Sequence, residues 1–191
     1  MSPGPPLWRS FPWNPDAAEN QPFSAVFVSP AQGLGRFDLP ENPAGVVYLA
    51  ETPDHAIGEW IARFRGRSIT EAHLKRNGVR RGLVRLKALP EIWEGIADLC
   101  DPKELDRHGM TPDSLAMRDR TVTQGIAARL FERGQTGLRW WSAHFGDWHT
   151  VVLFRERLPV DGLDYGVPEA VDLATPALLR AADWLDVGLD G

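Results

Sequence analysis

The segment Gly45-Val46-Val47-Tyr48-Leu49-Ala50-Glu51-Thr52-Pro53-Asp54 constrains the fold of this chain more than any other. Its first half is short, β-branched and bounded by turn residues, which predicts a buried strand. Its second half offers a threonine N-cap, a proline at the first helical position and an early acid, which together start a helix. Ala56, Ile57, Trp60, Ile61 and Phe64 then recur at helical spacing as far as about Arg65. A strand running straight into an amphipathic helix predicts an α+β or α/β domain. At 191 residues the chain is long enough for one generous domain with its own core.

The remaining pattern favours α+β over alternating β/α units. Leu7–Phe11 predicts an opening strand, and Pro12–Pro22 a polar, proline-rich loop. Further strands are expected at Ser24–Val28, Leu83–Leu86, Gly137–Ala143 and Trp148–Phe154, with His144–Asp147 as the turn between the last two. Helices are expected at Thr70–Asn77, capped by Gly78, from Thr121 or Thr123 to Arg133, closed by Gly134, and at Pro176–Leu185. Glu91–Asp119 reads as mostly helical and polar, broken at Asp101-Pro102 and Thr111-Pro112. No internal repeat or long linker divides the chain, so a single domain over 1–191 is expected.

Composition excludes several classes. The formal net charge of −5 argues against broad nucleic-acid binding, which needs basic surface to replace counterions. The basic residues Arg63, Arg65, Arg67, Lys75, Arg76, Arg80 and Arg81 read first as a solvated helix face and its loop. The single cysteine, Cys100, allows neither an intrachain disulfide nor a cysteine metal cluster. Met1–Pro6 lacks the charged and apolar regions of a secretory signal, and no run approaches a membrane span. A soluble protein of the reducing cytoplasm is the expectation.

Familiar catalytic motifs are missing. Gly33-Leu34-Gly35 lacks the third glycine and helix of a dinucleotide fingerprint, and no GxxxxGK[ST] loop occurs. His55, His73, His108, His144 and His149 lack metal-ligand spacing, so no metal is expected. Ser142 has no GxSxG elbow. What stands out is a set of polar residues in apolar frames: Arg36 in Gly35-Arg36-Phe37, Glu59 in Ile57-Gly58-Glu59-Trp60, and Ser142 after Trp140-Trp141. Such groups are costly beside buried elements unless they meet one another or a ligand. Trp60, Trp140 and Trp141 adjoin these positions or nearly so, and Trp8 adjoins a further candidate, Arg9.

The set contains one well-placed acid, whereas ordinary glycoside hydrolysis uses a carboxylate pair. The nicotinamide–ribose bond of NAD differs, because nicotinamide leaves as a neutral molecule and needs no general acid. A carboxylate for an oxocarbenium-like ribose, a cationic clamp for phosphate and an aromatic wall meet that requirement. Arg36, Tyr48, Glu59 and Ser142 supply those groups. Taken singly, Arg36 reads equally as a turn cap, Tyr48 as core and Ser142 as a strand-end serine; only Glu59 resists the structural reading.

Gly35-Arg36-Phe37, Val47-Tyr48-Leu49-Ala50, Ala56-x-x-Glu59, Gly137-Leu138-Arg139-x-x-Ser142 and Trp148-x-x-Val151-Val152-Leu153-Phe154 together resemble the RES domain, in order and spacing, over about Leu7–Phe154. Residues 155–191 would then be a packing extension. The resemblance implies an ADP-ribosyltransferase-like split mixed β-sheet with surrounding helices, around an NAD cleft. It also implies the toxin of a bacterial toxin–antitoxin pair, with an Xre-type antitoxin as protein partner. The implied activity is NAD consumption by hydrolysis or phosphorolysis, with phosphate as optional co-substrate and no cofactor beyond NAD itself. Protein mono-ADP-ribosylation is the alternative activity, and a non-catalytic binding module the alternative from another class. By resemblance, Arg36 contacts NAD phosphate, Tyr48 lines the nicotinamide-ribose pocket, Glu59 is the catalytic carboxylate, Ser142 holds nicotinamide or its ribose, and Arg9 corresponds to an early NAD-binding arginine.

Overall fold

The computed structural model describes residues 4–30 and 32–191; Met1–Pro3 of the leader and Ala31 lie outside the described residues. In chain order the strands are β1 (Leu7–Pro12), β2 (Val46–Ala50), β3 (Ser68–Ile69), β4 (Lys75–Arg76), β5 (Val79–Ala88), β6 (Ile96–Asp98), β7 (Gly137–Trp141), β8 (His149–Phe154), β9 (Leu163–Tyr165), β10 (Glu169–Ala170) and β11 (Gly188–Leu189). The helices are α1 (Pro53–Ile61), α2 (Pro90–Glu94), α3 (Pro102–His108), α4 (Pro112–Ala116), α5 (Arg120–Glu132) and α6 (Pro176–Trp184). The protein is α+β, as the sequence pattern predicts, with mixed parallel and antiparallel strand pairing, as the resemblance implies. Among the described residues no helix is long and apolar enough to cross a membrane.

The chain divides into two compact units, one formed mainly by Val28–Leu49 and Ala88–Leu163, the other by Pro5–Phe27, Ala50–Lys87 and Asp164–Gly191. In the first, the strand order is β2–β8–β7–β6. β7 and β8 form an antiparallel hairpin, from Gly137 opposite Leu153 to Trp141 opposite His149. β6 runs parallel to β7, with Ile96 opposite Gly137. Gly137 must be glycine here, because a Cβ would lie 2.2 Å from the Val152 carbonyl oxygen. Ile126, Ala127 and Leu130 bring one face of α5 onto Val46, Leu138, Val152 and Phe154 of the strands. Each fully buried Leu, Ile or Phe there contributes about 1.5–3 kcal/mol relative to exposure.

The second unit is organised by a long antiparallel ladder between β1 and β5, from Leu7 opposite Leu86 to Pro12 opposite Arg81. β10 pairs with β5 through Glu169 opposite Leu83, and Trp8 of β1 faces Ala50. Thr52 caps α1 as predicted, its hydroxyl accepting from the His55 N–H at 3.1 Å. Ile57 and Ile61 of α1 and Leu178 and Ala181 of α6 are fully buried, and the two helices pack together. Arg180 of α6 grips Asp54 of α1 with a fork of contacts between 2.7 and 3.2 Å. The C-terminal segment thus supplies a helix to the core of this unit.

Three expectations need correction. Ser24–Val28 is not a strand but a chain of turns, entered through Phe23 at φ +74°. With no ladder to satisfy it, this backbone takes donors from elsewhere: the Arg9 guanidinium reaches the carbonyls of Ala25 and Phe27. Thr70–Asn77 is not a helix: a 3-10 turn over Glu71–Leu74 passes into β4 and then into β5. Asn77 and Gly78 both have left-handed φ, 53° and 79°, the two-residue hairpin conformation that Asn-Gly favours over a helix cap. Finally, β6 interrupts the polar stretch expected to be helical. Three residues are too few to show alternation, and only pairing with β7 defines the strand.

Candidate active site

Arg36 is carried on a glycine loop held by one carboxylate. Asp38 Oδ2 accepts the N–H groups of Gly33 at 2.6 Å and Gly35 at 2.7 Å, while Oδ1 accepts the Tyr48 hydroxyl at 2.9 Å. The Tyr48 oxygen in turn accepts the Phe37 N–H at 2.9 Å. Gln124 of α5 donates to the Gly33 and Gly35 carbonyls at 3.0 and 2.9 Å. Burial first, then the neighbouring Asp38 carboxylate, pushes the Tyr48 phenol well above its ordinary range. Tyr48 is therefore a permanent donor to Asp38 at physiological pH and braces the loop that aims Arg36. Gly35 leaves room for this arrangement, since a Cβ there would meet Asp38 and the Tyr48 hydroxyl at 2.3 and 2.4 Å.

The Arg36 guanidinium donates to the Leu115 carbonyl and, at 3.4 Å, to that of Met117. Those carbonyls belong to the end of α4, where a cation is favoured. The same side chain lines a cavity of about 540 Å³, together with Ala116, Arg118, Arg120, Trp140, Trp141, Ser142 and Ala143. Trp140 and Trp141 stand edge-on to each other, with centroids 4.3 Å apart. Ser142 is buried just beyond β7; its N–H donates to the Trp148 carbonyl at 2.7 Å, and its hydroxyl accepts the His144 N–H at 3.1 Å. Arg139 is turned to Asp98 on the parallel strand β6, 3.1 Å from both carboxylate oxygens.

Arg36 and Ser142 thus share a cavity, and Tyr48 supports it without lining it. Arg118 and Arg120 escaped the sequence reading. They flank Asp119, the residue whose carboxylate caps α5 by accepting the Thr121 N–H at 2.9 Å. A helix N-terminus already carries partial positive charge, and α5 has no acid in its first turn. Two arginines at that end, with the single Asp119 carboxylate between them, leave an excess of positive charge that a bound anion would offset, and the sequence Arg118-Asp119-Arg120 ahead of a periodic helix is the signal that could have shown it. Three guanidiniums, two indoles and a hydroxyl suit a molecule with phosphates and a flat ring.

Glu59 and Arg9 belong to the second unit. Glu59 lies on the solvent face of α1, its side chain 43% exposed, between the buried Gly58 and Trp60. The exposure removes the burial cost that marked it in sequence. Its Oε1 lies 2.8 Å from Nε2 of His55, a fully buried residue one turn earlier, which fixes where the carboxylate points. Arg9 is engaged by the Ala25 and Phe27 carbonyls, as described above. Among the described residues no group of three or more His, Cys, Asp or Glu is placed to hold a metal ion.

The family model for the RES domain matches residues 6–186, past the Phe154 boundary suggested by the motifs. No curated protein matches the chain in sequence. A chain of the crystal structure of the M. tuberculosis MbcT-MbcA toxin-antitoxin complex shares the fold, with a TM-score of 0.55 and 16% identity over 92% of this chain and 86% of that one.

Proposed function

This chain belongs to the RES-domain family, and from that premise we propose that it is an NAD-consuming toxin that breaks the nicotinamide–ribose bond of NAD, with water or inorganic phosphate as acceptor. The observation that carries this reading is the cavity lined by Arg36, Arg118, Arg120, Trp140, Trp141 and Ser142. Three guanidiniums match the two negative charges of a dinucleotide's diphosphate, each pairing adding charge-assisted hydrogen bonds. The indoles offer a wall for a flat ring, and the Ser142 hydroxyl a polar contact at its edge. The site size falls within the range of roughly 300–1,000 Å³ usual for small-molecule pockets.

Cleavage of that bond sends its electron pair to the pyridinium nitrogen, so nicotinamide departs neutral and unprotonated. The ribose carbon left behind is electron-deficient, and the Glu59 carboxylate is assigned its stabilisation. Attack by water yields ADP-ribose and a proton; attack by phosphate yields ADP-ribose 1″-phosphate. Tyr48 acts through the Arg36 loop, and Arg9 through the Ala25–Phe27 segment that it holds. The protein partner would be an Xre-type antitoxin, which the family membership and the fold shared with a toxin–antitoxin complex support.

Nicotinamide release from NAD by the purified protein, with and without phosphate, tests the activity. Glu59→Gln should reduce turnover by about 10²–10³-fold, the loss usual for one electrostatic contact to a transition state. Full turnover in that variant would overturn the role of Glu59. No release by the wild-type protein under either condition would overturn the activity itself. Label transferred from NAD to a protein would instead identify ADP-ribosyl transfer.

A further inference from the structure

The basic stretch read in the sequence as a solvated face contains a residue that is not solvated. Arg81 of β5 is 8% exposed, and its Nε is buried without a hydrogen-bond partner. Among the described residues no carboxylate forms an ion pair with it. Its guanidinium carbon lies 4.4 Å from the centroid of the Trp60 ring, and the Trp60 indole N–H is likewise buried without a partner. The neighbouring charges that act on Arg81 are the guanidiniums of Arg76 and Arg63, both of the same sign. Burial, reinforced by those two cations, pulls Arg81 down to about 10. Ser10, opposite Leu83 in the β1–β5 ladder, is on the same face as Arg81 and also has a buried, unpartnered hydroxyl.

A buried cation is normally paired, because an uncompensated one loses its hydration without return. Here the pairing partner is replaced by two further cations, while two buried N–H donors and a hydroxyl stand without acceptors. The flat indole accounts for part of the stabilisation, since the negative face of a tryptophan ring attracts a guanidinium stacked on it. It satisfies neither N–H. The pattern is that of an anion site: a deep guanidinium on an aromatic floor, with two exposed arginines as its nearest charges, Arg76 and Arg63, the latter 4.8 Å from the Phe64 ring.

We propose that Arg81, Trp60, Arg63 and Arg76 form a phosphate-binding site in the second unit, taking the phosphate of a nucleotide or the inorganic ion. It is made of other residues than the Arg36 cavity and does not depend on the reading of that cavity. Arg76, opposite Val79 in the β4–β5 hairpin, lies on the same face as Arg81, and Arg63 follows Trp60 by three residues on the chain that leaves α1; three guanidiniums on one group favour a doubly charged phosphate over a carboxylate.

The test uses the Trp60 indole N–H as a local reporter. In the full chain labelled with ¹⁵N-tryptophan, the Trp60 signal is assigned by its loss in Trp60→Phe. Titration with inorganic phosphate at constant ionic strength should shift that signal saturably. Arg81→Gln should raise the midpoint at least about tenfold, equivalent to 1.4 kcal/mol. Should Arg81→Gln fail to fold, Arg63→Gln/Arg76→Gln, which alters exposed side chains, should raise it by a similar factor. Adenosine monophosphate with a lower midpoint than phosphate, and adenosine without effect, would make the ligand a nucleotide; equal midpoints would make it the phosphate group alone. An unmoved Trp60 signal, an equal response to chloride, or midpoints unchanged in the folded variants would overturn the proposal and leave Arg81 as a stacked core residue.

Discussion

Asp38→Asn is the sharpest probe of how the Arg36 loop is held. The carboxylate receives two backbone N–H groups on Oδ2 and the Tyr48 hydroxyl on Oδ1. An asparagine can turn its oxygen to the two glycine N–H groups, which converts two charge-assisted bonds to neutral ones at a loss of about 1 kcal/mol each. Its amide NH₂ then faces the Tyr48 hydroxyl, whose oxygen already accepts from Phe37. The phenolic proton has no acceptor left, which costs about 1 kcal/mol more, the low end for an unsatisfied donor because Tyr48 is only half-buried. The total is about 3 kcal/mol, or a fall of roughly 6–12 °C in Tm for a chain of this size. In a Tyr48→Phe background the stranded proton is absent, so Asp38→Asn should cost only about 2 kcal/mol and the pair should couple by about 1 kcal/mol. Urea unfolding of the four proteins in the cycle measures this. Arg36, two residues away, should lose its fixed aim, raising the KM for NAD although Asp38 does not line the cavity. Full additivity, with a destabilisation below about 0.5 kcal/mol for the single variant, would refute the account of Asp38 as the loop's anchor.

Two other outcomes follow from the same geometry. Arg118→Gln and Arg120→Gln, at exposed positions of the cavity, should each weaken NAD binding with little change in stability, and should flatten its dependence on salt in a titration; unchanged affinity and salt dependence would remove both from the site. Gly137→Ala should destabilise strongly, by about 3 kcal/mol or more in thermal unfolding, because the new methyl meets backbone of β8 rather than a movable side chain; a loss under 1 kcal/mol would mean that the hairpin can shift.

Local code was legible wherever an element carries its own signals. Thr52-Pro53-Asp54 starts α1, Asn and Gly punctuate, and Gly137–Trp141 and His149–Phe154 show their strands without tertiary help. The Asn77-Gly78 hairpin was equally written in the sequence, but the neighbouring helix-favouring residues masked it; left-handed φ at both positions decided the matter. Arg36 and Ser142 were legible as polar residues in apolar frames, and Glu59 for the same reason, although its exposure on α1 shows that the frame overstated its burial.

What tertiary structure alone decided is which groups share a space. Arg36, Arg118 and Ser142 are far apart in the chain and meet at one cavity because β7, α4 and the glycine loop are packed in one unit. Tyr48 became a brace rather than a wall because Asp38, just past the Gly35-Arg36-Phe37 motif, lies within reach of its hydroxyl. Arg81 is indistinguishable in sequence from the half-buried Arg80 beside it; alternation on β5 sends one to Glu71 and the other under Trp60. A sequence states which side chains carry charge and which stretches repeat with a helix or strand period. Whether a charge is solvated, paired or left awaiting a ligand depends on burial and on neighbours distant in the chain, and only the folded structure determines those.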